Sequence, residues 1–305
     1  MMAISASMVK ELREKTGAGM LDCKKALEES NGDFEAAVDW LRKKGLSAAA
    51  KKSDRVAAEG LIAVDVQGNT AVVIEVNAET DFVARNDTFQ DFVRTVVKKA
   101  HGKADAEALK ASEYEGGKTV QDVLTNLIAT IGENMNLRRV ANISVSKGHI
   151  ISYVHNQIVS GLGKIGVMVA FETDADASKL TAVGEGIAMH IAAMNPAALN
   201  PEGVDKALVE REANFLREKA IAAGRPENII EKMIESGVKT YLSEASLLEQ
   251  AYVLDNKKKV IDVVNELSKE IGTPVKLTGF LRFELGEGIE KQATDFAAEV
   301  AAMSK

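Results

Sequence analysis

Two stretches of this chain carry one pattern. Val72-Val73-Ile74-Glu75-Val76-Asn77-Ala78-Glu79-Thr80-Asp81 matches Ile165-Gly166-Val167-Met168-Val169-Ala170-Phe171-Glu172-Thr173-Asp174, and both end on Glu-Thr-Asp. Ahead of each lies another apolar run, Gly60-Leu61-Ile62-Ala63-Val64-Asp65-Val66 in one copy and Gly148-His149-Ile150-Ile151-Ser152-Tyr153-Val154 in the other. Gln67-Gly68-Asn69 separates the runs of the first copy as a hairpin turn. A helical period follows each copy, from about residue 87 and from Ser178. Two hairpin-plus-helix halves predict a duplicated α+β core.

Before the core, residues 5–45 read as three short helices. Ser5 or Ser7 caps the first and Asp33 the third, while Thr16-Gly17-Ala18-Gly19, Asn31-Gly32 and Gly45 mark the stops. After the second copy, Gly224-Arg225-Pro226 divides two helical patterns as an αα-hairpin. Leu208, Phe215, Ile230, Met233, Ile234 and Tyr241 are placed to zip its helices, with an oligomer surface, and hence a homodimer, as the alternative. The last helical pattern carries Phe296, Val300 and Met303 on one face. The expected division is a three-helix ubiquitin-associated-like partner-binding module at 1–54, a core N-terminal subdomain at 55–147 and a core C-terminal subdomain at 148–285. The second subdomain contains the helical-hairpin insertion at about 204–242, and a C-terminal helical module occupies 286–305.

Composition narrows the function. A net charge of −7 is a poor footprint for a chain whose main work is holding nucleic acid, because phosphate neutralisation needs a basic surface. The single cysteine, Cys23, leaves no internal disulfide and no cysteine zinc cluster. No run approaches the roughly 18 apolar residues of a membrane span, and the start lacks the features of a signal or transit peptide. The expected compartment is the cytoplasm.

Two glycine motifs imitate phosphate loops. Gly161-Leu162-Gly163-Lys164-Ile165-Gly166 fits G-x-G-x-x-G, but its last glycine opens a strand where a dinucleotide site needs a helix. Gly117-Lys118-Thr119 resembles a phosphate-loop tail, but Ser112 stands where the first glycine belongs, and the preceding stretch reads as helical. The four histidines, His101, His149, His155 and His190, are dispersed without metal-ligand spacing, and no metal site is expected. His190 reads as a satisfied core histidine. No catalytic residue is identified.

The turn after the first copy, Thr80-Asp81-Phe82-Val83, admits two readings. In one, Asp81 or Asp87 caps the next helix and Phe82 folds inward. In the other, Phe82 is a wedge presented to a partner. The second copy has Asp174-Ala175 there, which favours a role for Phe82 outside the shared fold. The residues leave both open.

Several ordered motifs resemble the bacterial elongation factor Ts family over nearly the whole chain. They are Leu12-Arg13-Glu14-Lys15-Thr16-Gly17-Ala18-Gly19-Met20-Leu21-Asp22-Cys23-Lys24-Lys25-Ala26-Leu27, Thr80-Asp81-Phe82-Val83-Ala84-Arg85-Asn86, Ile131-Gly132-Glu133-Asn134, Gly286-Glu287-Gly288-Ile289-Glu290-Lys291 and Asp295-Phe296-Ala297-Ala298-Glu299-Val300. One departure is Leu248-Glu249-Gln250-Ala251-Tyr252, where that family more often has Pro then Phe. The resemblance implies a non-catalytic guanine-nucleotide exchange factor whose partner is elongation factor Tu. It implies that Thr80, Asp81, Phe82 and Val83 disturb the partner's Mg²⁺, and that Arg13, Met20, Leu21, Lys24, Ile131, Gly132, His155 and Phe296 make further partner contacts. GDP, GTP and Mg²⁺ then belong to the partner, and this chain needs no cofactor. Competing readings are a binding module on an α+β scaffold without exchange activity, and an enzyme using a pocket between the core halves.

Overall fold

The computed structural model describes residues 4–290. Phe296 and the last helical pattern therefore lie outside the described residues. The fold is α+β.

Helices α1 (Ala6–Thr16), α2 (Met20–Glu29) and α3 (Phe34–Ala50) enclose Leu12, Cys23, Ala26, Leu27 and Ala37. Ser5 accepts the Met8 N–H and Asp33 the Ala36 N–H, as N-caps do. Gly45 does not stop α3, which runs on to Ala50. It is buried mid-helix, and a Cβ there would lie 3.6 Å from Cβ of Ala129, an ordinary packing distance. Mid-helix glycine costs roughly 1 kcal/mol against alanine.

The first core copy runs β1 (Glu59–Gln67), β2 (Thr70–Ala78), the single turn α4 (Asp81–Ala84), α5 (Asp87–Lys99) and α6 (Ala106–Lys110). It closes with β3 (Glu113–Glu115), β4 (Lys118–Thr119), α7 (Val120–Ile131) and β5 (Met135–Ser144). The second runs β6 (Gly148–His155), β7 (Leu162–Gly163), β8 (Ile165–Thr173) and α8 (Ala177–Met194), then the excursion α9 (Lys206–Ala222) and α10 (Glu227–Ala245). It closes with β9 (Ala251–Tyr252), β10 (Asp255–Lys259), α11 (Val260–Ile271) and β11 (Val275–Glu284).

The duplication is longer than the strand pattern reveals. In each copy a small hairpin feeds a helix, and that helix delivers a strand to the free side of the central strand. The sheets are β5-β2-β1-β7 and β11-β8-β6, antiparallel throughout. Helices α7 and α11 open alike: Asp122 Oδ2 accepts the Thr119 N–H and Asp262 Oδ2 the Lys259 N–H, each at 3.0 Å. They close alike on left-handed Gly132 and Gly272.

Strand alternation builds four layers. Val72, Ile74 and Val76 face α5 and α7, meeting Phe89, Phe92, Val96 and Leu124. Val167, Val169 and Phe171 face α8 and α11, meeting Leu180, Ile187, Val260 and Val264. The opposite faces, with Ile62, Ala71 and Val73 on one sheet and Ile150, Met168 and Ala170 on the other, pack against each other. The order is helices, sheet, sheet, helices. Central strands buried on both faces read as near-continuous apolar runs.

Both phosphate-loop imitations find structural roles. A Cβ on Gly166 would lie 2.6 Å from Cγ2 of Ile62 and 2.9 Å from Cγ2 of Val64, so this glycine lets the sheets meet. Gly117 does follow a strand, contrary to the sequence reading. Gly116 and Gly117, both at positive φ, turn the β3–β4 hairpin, and Thr119 caps α7.

The excursion is closed by fewer side chains than its pattern suggests. Ala220 and Ile230 are buried, and Gly237 packs so closely on Leu216 that a Cβ would come within 2.5 Å of it. Leu208, Phe215 and Met233 stay exposed.

Candidate functional site

Strand β2 ends on a buried residue, Ala78, and the chain then turns outward under restraint. The Thr80 N–H donates to Glu133 Oε2 at 3.0 Å and its hydroxyl to Oε1 of the same carboxylate at 2.8 Å. Glu79 accepts the Asn134 N–H, and the Asn134 amide donates to the Arg55 carbonyl at 2.7 Å. Glu133 and Asn134 follow Gly132, whose left-handed conformation ends α7 and sends the chain under the turn. Charged acceptors make stronger hydrogen bonds than neutral ones.

Beyond Thr80, helix α4 is anchored from inside. Val83 and Ala84 are buried, and the Gln90 side-chain amide donates to the Ala84 carbonyl at 3.0 Å. Neither Asp81 nor Asp87 caps the following helix. Asn86 does, its Oδ1 accepting the Phe89 N–H at 3.1 Å. Asp81 instead pairs with Arg85 across one turn at 3.6 Å. Phe82 is 77% exposed, which overturns the inward reading. An apolar ring stands in solvent on a turn whose neighbours are fixed on both sides.

Ile131 packs against the core of the first copy, and exposed Gly132 is its αL neighbour. Both stand beside the Thr80 turn through Glu133. The motif Ile131-Gly132-Glu133-Asn134 was visible in the sequence, but the bolt itself, Glu133, was not singled out. Only its pairing with Thr80, 53 residues away, shows that role.

Helix α7 also carries the N-terminal helices. Arg42 pairs with Asp122 at 2.9 Å, and the Asn126 amide donates to the Thr16 carbonyl at 3.0 Å. The backbone N–H of Thr119, with help from Arg42, holds the Asp122 carboxyl below the usual range. One rigid helix thus joins the N-terminal module near its start to the Phe82 turn at its end. On that module Met20 and Leu21 open α2, and Leu21 is 83% exposed. Arg13 is exposed, and Lys24 pairs with Glu28 at 3.7 Å. Exposed His155, at the end of β6, has its Nδ1 2.9 Å from the Tyr153 hydroxyl.

His190 sits in the core, with Nε2 2.8 Å from Gln250 Oε1 and Nδ1 accepting the Val253 N–H at 3.1 Å. Both ring nitrogens are occupied within the fold. Among the described residues no His, Cys, Asp and Glu side chains gather as a metal site, and no helix is long and apolar enough to cross a membrane.

The family model described as "Elongation factor TS" matches residues 79–287. The chain is 58% identical over 305 residues to elongation factor Ts of Methylobacterium nodulans, with 99% of each covered. It is 59% identical over 305 residues to that of Methylorubrum extorquens, again with 99% of each covered. It is 58% identical over 306 residues to that of Paramagnetospirillum magneticum, covering 100% of this chain and 98% of the relative. The chain belongs to the elongation factor Ts family.

Proposed function

We propose that this protein is a translation elongation factor that promotes GDP release from elongation factor Tu without performing bond chemistry itself. One observation carries the reading: Phe82 is 77% exposed on a turn pinned by Glu133, Val83 and Ala84. A partner that buries the ring recovers the free energy that the free chain leaves in solvent. Full burial of a phenylalanine contributes roughly 1.5–3 kcal/mol, and about 1.4 kcal/mol is tenfold in an equilibrium constant.

In this reading Asp81 and Phe82 enter the partner's nucleotide-binding domain and displace groups around its Mg²⁺. That ion demands near-ideal octahedral geometry, so small displacements weaken the phosphate grip. Factor and nucleotide each lower the other's affinity for the partner by the same factor. A single ring supplies ten- to a hundredfold at most, so holding it in place falls to distributed contacts. Exposed Met20 and Leu21 with Arg13 and Lys24 serve the nucleotide-binding domain, as does Phe296, while His155 on the second copy serves another domain. GTP then rebinds as the factor leaves.

The test is release of fluorescent GDP from elongation factor Tu, with and without this chain. Acceleration at micromolar concentration is expected; its absence would sink the exchange reading and leave a binding module.

A further inference from the structure

The inter-sheet layer, built on Ile62, Ala71, Val73, Ile150, Met168 and Ala170, also holds a buried carboxylate. Glu75 lies mid-strand in β2, fully buried, and its register partner across the ladder is Arg139. Its counterpart in β8 is Met168, paired with Leu281. The second copy builds the same strand pair from apolar residues, so the shared fold has no need of a carboxylate there. Burying a charge costs several kcal/mol unless it is paired and hydrogen-bonded, so its retention calls for a specific use.

The partners of Glu75 identify that use. Oε1 accepts the Gly286 N–H at 2.8 Å and the Asn77 amide at 3.0 Å, and Arg138 reaches Oε1 at 3.2 Å and Oε2 at 3.1 Å. Arg139 Nε also donates to Oε2. The two arginines continue outward: Arg138 Nη2 donates to the Glu287 carbonyl at 2.7 Å, Arg139 Nη2 to the Glu284 carbonyl at 2.7 Å, and Arg139 Nη1 to Glu287 Oε2 at 3.0 Å. Arg139 also lies over the Phe283 ring, 4.3 Å from its centroid. The outer contacts converge on the end of β11 and the turn after it. Gly286 itself fits against the Ala58 carbonyl at φ +74, where a Cβ would come within 2.5 Å of the oxygen.

We propose that Glu75 is a positioning residue: with Arg138 and Arg139 it locks the Glu284–Gly288 turn to the first sheet, and so fixes the point from which the chain continues to Phe296. The functional half rests on the reading above that Phe296 meets the partner. The lock is a buried charge gathered on a turn, made by residues that belong to neither the Phe82 site nor the N-terminal module.

The test compares Glu75→Met, which installs the second copy's own residue, with Glu75→Gln, which keeps an acceptor for Gly286. Gly286→Ala opens the same lock while leaving Glu75 in place. In the full chain, Glu75→Met is expected to speed amide hydrogen exchange at Gly286 and Glu287 by about tenfold or more, while amides of Val72–Val76 keep their protection. Glu75→Gln should change them less. Affinity for elongation factor Tu should fall about tenfold in Glu75→Met and in Gly286→Ala, and little further when Phe296→Ala is added to either, because coupled sites are non-additive. Unchanged protection at Gly286 overturns the lock, and losses that simply add to that of Phe296→Ala overturn its functional role. Full affinity in Phe296→Ala alone overturns the underlying partner contact, while the amide measurement still decides the lock.

Discussion

After Glu-Thr-Asp the two copies of the core part company. In the second, the Ala175 N–H returns to the Thr173 hydroxyl at 3.1 Å, the Ala175 carbonyl is 3.0 Å from Nε2 of His149, and α8 starts two residues later. Ala175 is 8% exposed. In the first, a whole helical turn, α4, is interposed before α5, and it lifts Phe82 to 77% exposure. The second copy shows what the strand exit needs for folding, namely a tight, small, buried connection. What the first adds is surplus to that need: an extra turn, an outward ring, and a carboxylate just past the end of α7 to hold it. The comparison also corrects the inference from sequence, which treated the turns as alike but for one aromatic. They differ in backbone.

The sharpest way to break this contrast is Phe82→Ala. An exposed side chain away from special features changes stability by roughly 0.5 kcal/mol or less. Exchange on elongation factor Tu should slow by about ten- to a hundredfold, the worth of one buried ring. A clear drop in melting temperature with proportionate loss of activity would make Phe82 part of the core after all. The converse change, Ala175→Phe, forces a ring into the closed turn. It should lower stability by about 1–3 kcal/mol in urea unfolding and leave exchange unimproved. A stable variant with faster exchange would erase the distinction between the copies.

Glu133→Ala probes the bolt while leaving the wedge in place. It removes the acceptor of both Thr80 hydrogen bonds. The pair is only part-buried, so stability should fall by roughly 1 kcal/mol. Exchange should slow several-fold with Phe82 intact, and Glu133→Gln, which keeps one acceptor, should recover part of the loss. Wild-type rates in Glu133→Ala would show that the turn holds itself.

Much of the architecture was legible because burial writes periodicity into sequence. Double-sided burial made β2 and β8 continuous runs, and Ser5 and Asp33 announced helix starts through local capping. The strand β5 was not recognised. Its pattern is half-buried and polar, with Arg138 and Arg139 spent on a turn nearly 150 residues away. The kinship of Thr119-Val120-Gln121-Asp122 with Lys259-Val260-Ile261-Asp262 was in plain view but masked by the intervening helical excursion. Gly45 misled because a glycine that stops a helix and one carried inside a helix look the same in sequence. The site divides similarly. Phe82 drew notice as an aromatic among polar residues, whereas Glu133 is one glutamate among many until Thr80 is placed beside it.

The smallest expected effect separates the copies by titration. The helix-facing layer of the first buries Gln90 and Thr125, neither of which ionises in the ordinary pH range, whereas the second buries His190. Burial pushes the His190 imidazole below its usual value, only partly opposed by the hydrogen bond to Gln250. The folded chain therefore holds the ring neutral, while the unfolded chain takes up a proton as pH falls through about 6.5. Proton uptake favours the state that binds more protons, so this group's contribution is complete above that value and declines as pH falls below it. Urea unfolding at pH 7.5 and 5.5 should show a loss in the wild type that is smaller in His190→Gln, after each variant is referred to its own stability at pH 7.5. Equal losses would place the acid sensitivity elsewhere. Because Phe82 and Glu133 belong to the first copy, GDP-release rates for the still-folded fraction at pH 5.5 should not distinguish His190→Gln from wild type.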